Sequence, residues 1–379
     1  MNLAAPALSE AEVFARLSVL RSAGIGPVSY YHLMRRFGGA AKVLEALPDI
    51  AGRSGALYRH VPRERIVAEM ERLQAAGGHY LFHDDPAYPR LLAALETPPP
   101  VLTYRGDLSL LGQGAVALVG ARNASAGACR LARDYGASLA ARGYAVVSGL
   151  ARGIDAAAHR GALAAMDKGG GTIGVIASGI DVTYPPDHAE LQEDIAVRGL
   201  LLAEMPPGTE PLARHFPFRN RIIAGLAAGT VVVEAAPRSG SLITARLAAE
   251  AGREVMAVPG SPLDSRSRGC NELIRDGAIL VQSADDIAEL LERFDGPSRL
   301  KLREPIWTAM DEGPVQFAPQ GDAEDGPADI AHLLGMAPVA TDELIRQSGA
   351  SAGAVQMALI ELELAGRLVR HAGGRVSLA

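Results

Sequence analysis

Cysteine is almost missing from this chain. Cys129 and Cys270 stand far apart without metal-type spacing, and they read as buried thiols of a reducing, cytoplasmic protein. Uncharged apolar runs stop short of the roughly 18 residues that a membrane span needs, so no membrane partner is expected. The first twenty residues mix acids with apolar residues and lack a basic start followed by an apolar core, so no signal peptide is expected. An excess of positive charge is missing too. With 37 Lys and Arg against 43 Asp and Glu, the net charge is −6, so any phosphate site must be a local patch and not a global field.

Several chemical fingerprints are also absent. No G-x-x-x-x-G-K-[ST] run, no H-E-x-x-H and no Cys/His cluster occurs, and the G-x-S-x-G spacing appears once, at Gly349-Ala350-Ser351-Ala352-Gly353, between two helical stretches and not at a strand exit where a nucleophile elbow would sit. The dinucleotide pattern G-x-G-x-x-G is missing after the first candidate strand of the central region, where the turn reads Gly120-Ala121-Arg122-Asn123-Ala124-Ser125. NAD is therefore disfavoured, and no catalytic constellation presents itself.

What is present is a chain of 379 residues, 48% apolar and 21% charged, long enough for two or three globular domains each with its own core. Residues 1–80 read as a helical domain. Apolar residues recur at helical spacing from Glu12 to Phe37, broken by Gly24-Ile25-Gly26-Pro27, and more helix is expected from Pro62 to Ala76. The glycine turn either presents backbone N–H groups to a phosphate, with Arg35 and Arg36 further along, as in helix-hairpin-helix modules, or simply permits a tight αα-hairpin. The proline-rich segment from His83 to Pro100 reads as an extended connector, followed by a short strand over Leu102–Gly106.

Residues 81–295 change texture. Short apolar runs at Ala115–Val119, Tyr144–Val147, Thr172–Ala177, Leu200–Glu204, Thr230–Glu234, Glu254–Val258 and Ala278–Val281 alternate with alanine-rich helical stretches. This predicts an α/β fold, a Rossmann-like, doubly wound, mostly parallel sheet that binds its ligand at the carboxyl ends of the strands. Glycine, serine and arginine recur at those exits: Gly120 to Asn123, Ser148-Gly149-Leu150-Ala151-Arg152-Gly153-Ile154-Asp155, Ser178 to Asp181, and Pro237-Arg238-Ser239-Gly240-Ser241-Leu242-Ile243-Thr244. Small residues let backbone approach phosphate, and helix N-termini favour negative charge, so the loops predict an anion-lined crevice. Each piece also has a plainer reading, in which Gly149 and Gly153 serve chain reversal and Ser239 or Ser241 caps a helix. Asp155 and His159 are either an acid/base couple or a capping carboxylate bonded to a structural histidine.

The densest stretch is Phe216-Pro217-Phe218-Arg219-Asn220-Arg221, ahead of an apolar helical run. Guanidiniums that take phosphate oxygens in pairs, next to aromatic faces on which bases stack, suit single-stranded nucleic acid. The alternative is surface charge at a helix start beside core phenylalanines.

The motif at 148–155 with Ala158-His159, the run Phe216 to Leu226, Val233-Glu234-Ala235 through Ser239 to Ala245, Pro259-Gly260 and Gly269-Cys270-Asn271-Glu272-Leu273-Ile274 together resemble the DNA-processing protein A (DprA/Smf) family. The resemblance covers the whole central region in order. It implies a non-enzymatic protein that binds and protects single-stranded DNA and loads the RecA recombinase onto it in natural transformation, acts as a homodimer without a cofactor, and works beside single-strand-binding protein. It further implies nucleic-acid contacts from Arg122, Ser148, Gly149, Arg152, Arg219, Asn220, Arg221, Ser239, Gly240, Ser241 and Thr244, with Phe216 or Phe218 as the stacking aromatic. A phosphoribohydrolase-like enzyme is the alternative of similar layout. Its P-G-G-x-G-T-type turn with a following glutamate is replaced here by Pro237 to Thr244 without that glutamate.

Residues 296–327 read as a linker rich in Pro, Gly, Asp and Glu. Residues 328–379 carry three helical stretches and a hairpin with Gly373-Gly374 at its turn, and Thr341 and Ser351 are candidate N-caps. That is a winged helix. Its third helix, from Ser351 to Leu364, has two glutamates and no arginine, where a groove-reading helix is ordinarily basic. Protein contact or a structural role is the better expectation, with duplex reading as the alternative.

Overall fold

The computed structural model describes residues 8–53, 60–293, 330–335, 338–371 and 373–379. They fall into two compact units, Met1–Ala68 with Gly313–Ala379, and Glu69–Glu312. The chain opens with four helices: α1 (Glu10–Leu20), α2 (Pro27–Phe37), α3 (Ala40–Arg53) and α4 (Arg63–Ala75). Ser9 caps α1 by accepting from the Glu12 N–H, and Gly38, at φ 74°, closes α2 in the left-handed conformation that glycine adopts without strain.

The second unit is built on a nine-stranded sheet in the order β1-β2-β6-β5-β4-β3-β7-β8-β9. Its elements run β1 (His79–Phe82), α5 (Arg90–Ala93), β2 (Val101–Gly106), β3 (Ala115–Val119), α6 (Ala126–Ala141), β4 (Ala145–Ser148), α7 (Ile154–Ala164), β5 (Gly171–Ile176), α8 (Ala189–Arg198), β6 (Leu200–Ala203), α9 (His215–Leu226), β7 (Gly229–Val232), α10 (Gly240–Glu250), β8 (Glu254–Ala257), α11 (Arg268–Arg275), β9 (Ile279–Leu280) and α12 (Ala284–Arg293). The seven strands from β3 to β9 pair in parallel. β2 runs antiparallel to β6, and β1 antiparallel to β2.

The parallel strands are buried on both faces because their side chains alternate between two cores. Ala115, Ala117 and Val119 pack with Val147, Ile173 and Ile222 on one side, while Val116 and Leu118 pack with Leu139, Val231 and Met256 on the other. Each such fully buried aliphatic side chain contributes about 1.5–3 kcal/mol. All seven expected parallel strands form. β1 is an addition: Tyr80 to Phe82 pair with β2, so the expected boundary between residues 80 and 81 falls inside a strand. The proline-rich connector also holds one helical turn, α5, where an extended path was expected. Cys270 is buried, which pushes its thiol up to about 11, whereas Cys129, expected to be buried, is only partly so.

The C-terminal part of the first unit contains β10 (Val339–Ala340), α13 (Thr341–Ser348), α14 (Ala352–Leu364), β11 (Leu368–His371) and β12 (Arg375–Leu378), with a short 3-10 turn at Ala331–Leu333. The expected linker, 296–327, lies outside the described residues. Gly373 and Gly374, both at positive φ, turn the hairpin as expected. Ser351 caps α14, but Thr341 is not a cap. It is the first helical residue, and its hydroxyl donates to the Gly374 carbonyl at 2.8 Å.

α14 has no face left for a DNA groove. Val355, Leu359 and Leu362 sit in the winged-helix core, while Met357 and Ile360 sit in the core of the N-terminal helices with Tyr30, Leu33 and Val43. Near its end, Glu363 accepts from the Ser29 hydroxyl at the start of α2 and from Arg370 Nε at 3.0 Å. A Cβ on Gly24 would lie 2.7 Å from the Glu363 carbonyl, so the glycine turn is packed against this helix, which favours the tight αα-hairpin of the two readings. The structure therefore favours the structural role for the third helix. Glu363→Ala should leave Arg370 and Ser29 without their acceptor and destabilise this unit by about 1–3 kcal/mol. Calorimetry of the full chain should show one transition lowered and the one belonging to the β-sheet unit unmoved.

Candidate nucleic-acid interface

The loops after β3, β4 and β5 and the first turn of α9 converge on one crevice at the carboxyl ends of the parallel strands. It lies beside the point where β3 separates β4 from β7 and the strand order reverses. The crevice holds a cavity of about 150 Å³ lined by Arg122, Gly149, Arg152, Tyr184, Phe216 and Arg219, together with residues 150–151 and the Pro185-Pro186 pair.

Each loop is fixed by a carboxylate, buried in the case of Asp155 and Glu234 and half-buried in that of Asp181. Asp155, in the first turn of α7, turns its carboxylate back on its own loop and accepts from the N–H groups of Gly149 at 3.2 Å and Ala151 at 3.4 Å. Leu150 between them is fully buried at φ 54°, a left-handed conformation that a leucine holds only because its surroundings impose it. Its carbonyl faces His188 Nδ1 at 2.9 Å. A Cβ on Gly149 would lie 1.4 Å from Arg219 Nη1, so only glycine lets the guanidinium lie against the backbone. The loop carrying Arg122 hangs on Glu234 at the end of β7: its carboxylate accepts from the Ser125 N–H and its carbonyl from the Ala121 N–H, both at 2.7 Å. Asp181 pairs with Arg72 and accepts from the Gly208 N–H at 2.7 Å, stapling the long loop before α9 to the exit of β5.

Arg219 is the electrostatic centre. It is 7% exposed, its Nη1 lies 3.8 Å from Asp155 Oδ2, and its Nε has no hydrogen-bond partner. Burial pulls its pKa below the ordinary arginine value, Asp155 opposes that shift and Arg122 adds to it. Burial likewise pushes the Asp155 carboxyl up, against Arg219 and the two N–H donors. Arg122 is exposed with no ion-pair partner among the described residues, and its guanidinium lies 5.1 Å from the Phe216 ring centre, while that of Arg219 lies 5.7 Å from the same ring. Arg152 is paired with Asp187 at 2.6 Å. An anion entering here meets one free guanidinium and one buried guanidinium with an unused N–H.

Of the expected contact residues, Arg122, Gly149, Arg152, Phe216 and Arg219 line the cavity. Ser148 is fully buried beneath it, its hydroxyl donating to the Leu118 carbonyl at 2.6 Å. Arg221 points the other way and is held by Glu204 and the Thr97 carbonyl. Asn220 reaches the Gly240 carbonyl at 3.5 Å, Ser239 caps α10 and bonds the Ser241 hydroxyl at 2.8 Å, and Thr244 is buried in α10. The exit of β7 thus contributes no lining to this cavity. Phe218 is 50% exposed and outside the lining. Asp155 and His159 do not form a couple, since His159 Nδ1 donates to Thr172 Oγ1 at 2.7 Å, which donates in turn to the Val146 carbonyl. Tyr184 and the two prolines after it were not read from the sequence. Among the described residues, no group of His, Cys, Asp and Glu could hold a metal, and no helix is long and apolar enough to cross a membrane.

A doubly wound α/β unit with an arginine-lined crevice at its switch point, flanked in sequence by a helical and a winged-helix segment, defines a class of protein with known members. The family model for DNA recombination-mediator protein A matches residues 79–292, that for a DprA-like N-terminal HHH domain residues 10–71, and that for a DprA winged helix domain residues 314–374. Protein Smf of Synechocystis is 34% identical over 93% of this chain and 95% of its own length. DNA processing protein DprA of Streptococcus pneumoniae is 47% identical over 54% of this chain and 71% of its own. The X-ray structure of the latter superposes with a TM-score of 0.62 over 74% of this chain and 98% of its own, at 34% identity. DNA processing protein A from Helicobacter pylori, whose structure concerns a unique single-stranded DNA binding mode, superposes with a TM-score of 0.51 at 28% identity, over 57% of this chain and 98% of its own. The chain belongs to the DNA-processing protein A (DprA/Smf) family.

Beneath the crevice, burial holds the His159 imidazole down to about 3, against 6.5 for an ordinary histidine. Below pH 6.5 the unfolded chain takes up this proton and the native state does not until about pH 3. The stability from His159 is therefore complete above 6.5 and lost as pH falls through that window, at a limiting slope of about 1.4 kcal/mol per pH unit. Urea denaturation across the window should show a shallower acid dependence for His159→Gln than for the parent.

Proposed function

We propose that the crevice binds the phosphate backbone of single-stranded DNA and that the protein is a non-catalytic recombination mediator. The observation that carries this reading is Arg219: a buried guanidinium with an unpartnered Nε, facing an exposed arginine that has no carboxylate of its own. An anion relieves both, and the neighbouring aromatic rings suit a ligand that carries bases. The size of the cavity supports a polymer over a small metabolite. At about 150 Å³ it is well below the roughly 300–1,000 Å³ of sites that enclose a whole small ligand, so it takes part of a nucleotide while the strand continues outside. The same limit weighs against the phosphoribohydrolase-like alternative, as does the absence of the β7 exit from the lining. Membership of the family and the single-stranded DNA binding mode of the Helicobacter pylori protein support the strand as ligand.

The finer reading extends the family's properties to this chain: a cytoplasmic homodimer that protects incoming single strands, works beside single-strand-binding protein and loads RecA. The phosphate contacts assigned to Arg122 and Arg219, with Gly149, Arg152 and Phe216 around them, belong to the same proposal.

Fluorescence anisotropy of a labelled dT oligonucleotide, competed with unlabelled duplex and repeated across salt concentrations, tests the reading. The parent should prefer the single strand and lose affinity as salt rises. Arg122→Ala, which breaks no ion pair, should bind more weakly and lower the slope of log affinity against log salt by about 0.7, the contribution of one phosphate contact on a single strand. Equal binding to duplex, or no binding, would overturn it.

A further inference from the structure

We infer that Tyr184 is the surface on which a base of the bound strand stacks, an assignment that rests on the single-strand reading above. Three aromatic side chains stand near the crevice, and the structure separates them. Phe216 lines the cavity, but its ring already serves two guanidiniums, with Arg122 at 5.1 Å and Arg219 at 5.7 Å from its centre. A ring so engaged fixes the position of the cations and has little face to offer a base. Phe218 is half exposed but lies outside the lining, so a nucleotide whose phosphate sits on Arg219 is not in contact with it through the cavity.

Tyr184 meets both conditions. It lines the cavity and is 41% exposed, the exposure expected of a side chain with an open face. Its ring neighbour among the described residues is Phe216, at 5.9 Å between centres and 64° between planes, an edge-to-face contact that braces the tyrosine and covers at most one of its two faces. Pro185 and Pro186 follow it in the lining, and their fixed φ angles hold the backbone that presents it. The arrangement is a relay of two guanidiniums and two rings. The arginines hold Phe216, Phe216 braces Tyr184, and Tyr184 presents a flat apolar surface at the mouth of an arginine-lined cavity. Phosphate and base of one nucleotide then bind to different walls of the same crevice. Because every base has a π-face, such a platform adds affinity with little sequence preference.

The test compares a dT oligomer with an abasic sugar-phosphate oligomer of equal length, which keeps the charges and removes the bases. The parent should bind dT about tenfold or more tightly than the abasic oligomer, the scale of one stacked base. Tyr184→Ala and Tyr184→Leu should bind dT no better than abasic while keeping the parent's affinity for the abasic oligomer, and Tyr184→Phe should keep the parent's preference. The unchanged abasic affinity excludes misfolding as the cause. If Tyr184→Ala retains the preference for dT, or if Phe218→Ala removes it instead, the assignment is overturned. A parent that binds both oligomers equally well overturns the stacking assignment and spares the phosphate reading. A parent that binds neither overturns both.

Discussion

The crevice depends on keeping a positive charge out of water. Arg219 is almost wholly buried, its nearest carboxylate is 3.8 Å away, and one of its N–H groups is left without a partner. A buried cation in that state costs free energy that the rest of the fold must offset. The large aliphatic double core of the sheet provides the offset, and the loops around Arg219 are arranged so that the side chain has nowhere else to go. Gly149 leaves room for it, Phe216 lies beside it, and Asp155 is tied to backbone N–H groups and cannot swing across to form a tighter pair.

The acidic residues of the site act as internal clamps. Asp155, Asp181 and Glu234 each fasten a strand-exit loop by accepting backbone N–H groups. This reverses the simple expectation that glycine-rich exits leave their N–H groups free for a ligand. Here the Gly149 and Ala151 donors are already satisfied from within the chain, so the proposed anion contacts fall to the guanidiniums beside that loop. Rigidity of this kind favours affinity, since the cations need no ordering when the ligand arrives. The left-handed Leu150 records how strongly the loop is constrained.

Much of the fold was legible because a parallel sheet covered on both faces leaves continuous apolar runs, and all seven of its strands could be read from them. β1 was not, because four residues on an antiparallel edge, half of them exposed or partly so, carry too little pattern. The site was legible in its loops and less so in its side chains. Arg219 and Arg221 look equivalent in the sequence. On a helix, two residues apart means nearly opposite faces, and Arg219 shares its face with Ile222 and Ile223, which enter the core. That phase could have separated the inward arginine from the one bound to Glu204. Ser239 and Ser241 were legible as helix-capping residues and equally so as ligand donors; the structure makes Ser239 the cap of α10 and keeps their loop out of the cavity lining. Tyr184 lies several residues beyond its strand, past the stretch where exit residues are usually sought.

The pairing of Ser29 with Glu363 joins residues 334 positions apart, and it lies within a core shared by the first helices and the last. In topological terms the sheet unit is an insertion within another folding unit. During synthesis the first helices leave the ribosome with part of their apolar surface uncovered, and the residues that cover it are made last. The sheet unit has all of its own strands long before then. The order of translation is therefore the reverse of the order of completion: the amino-terminal helices are finished only when the carboxyl-terminal helix reaches them, and early folding of the sheet unit shortens the flexible chain that this closure must order.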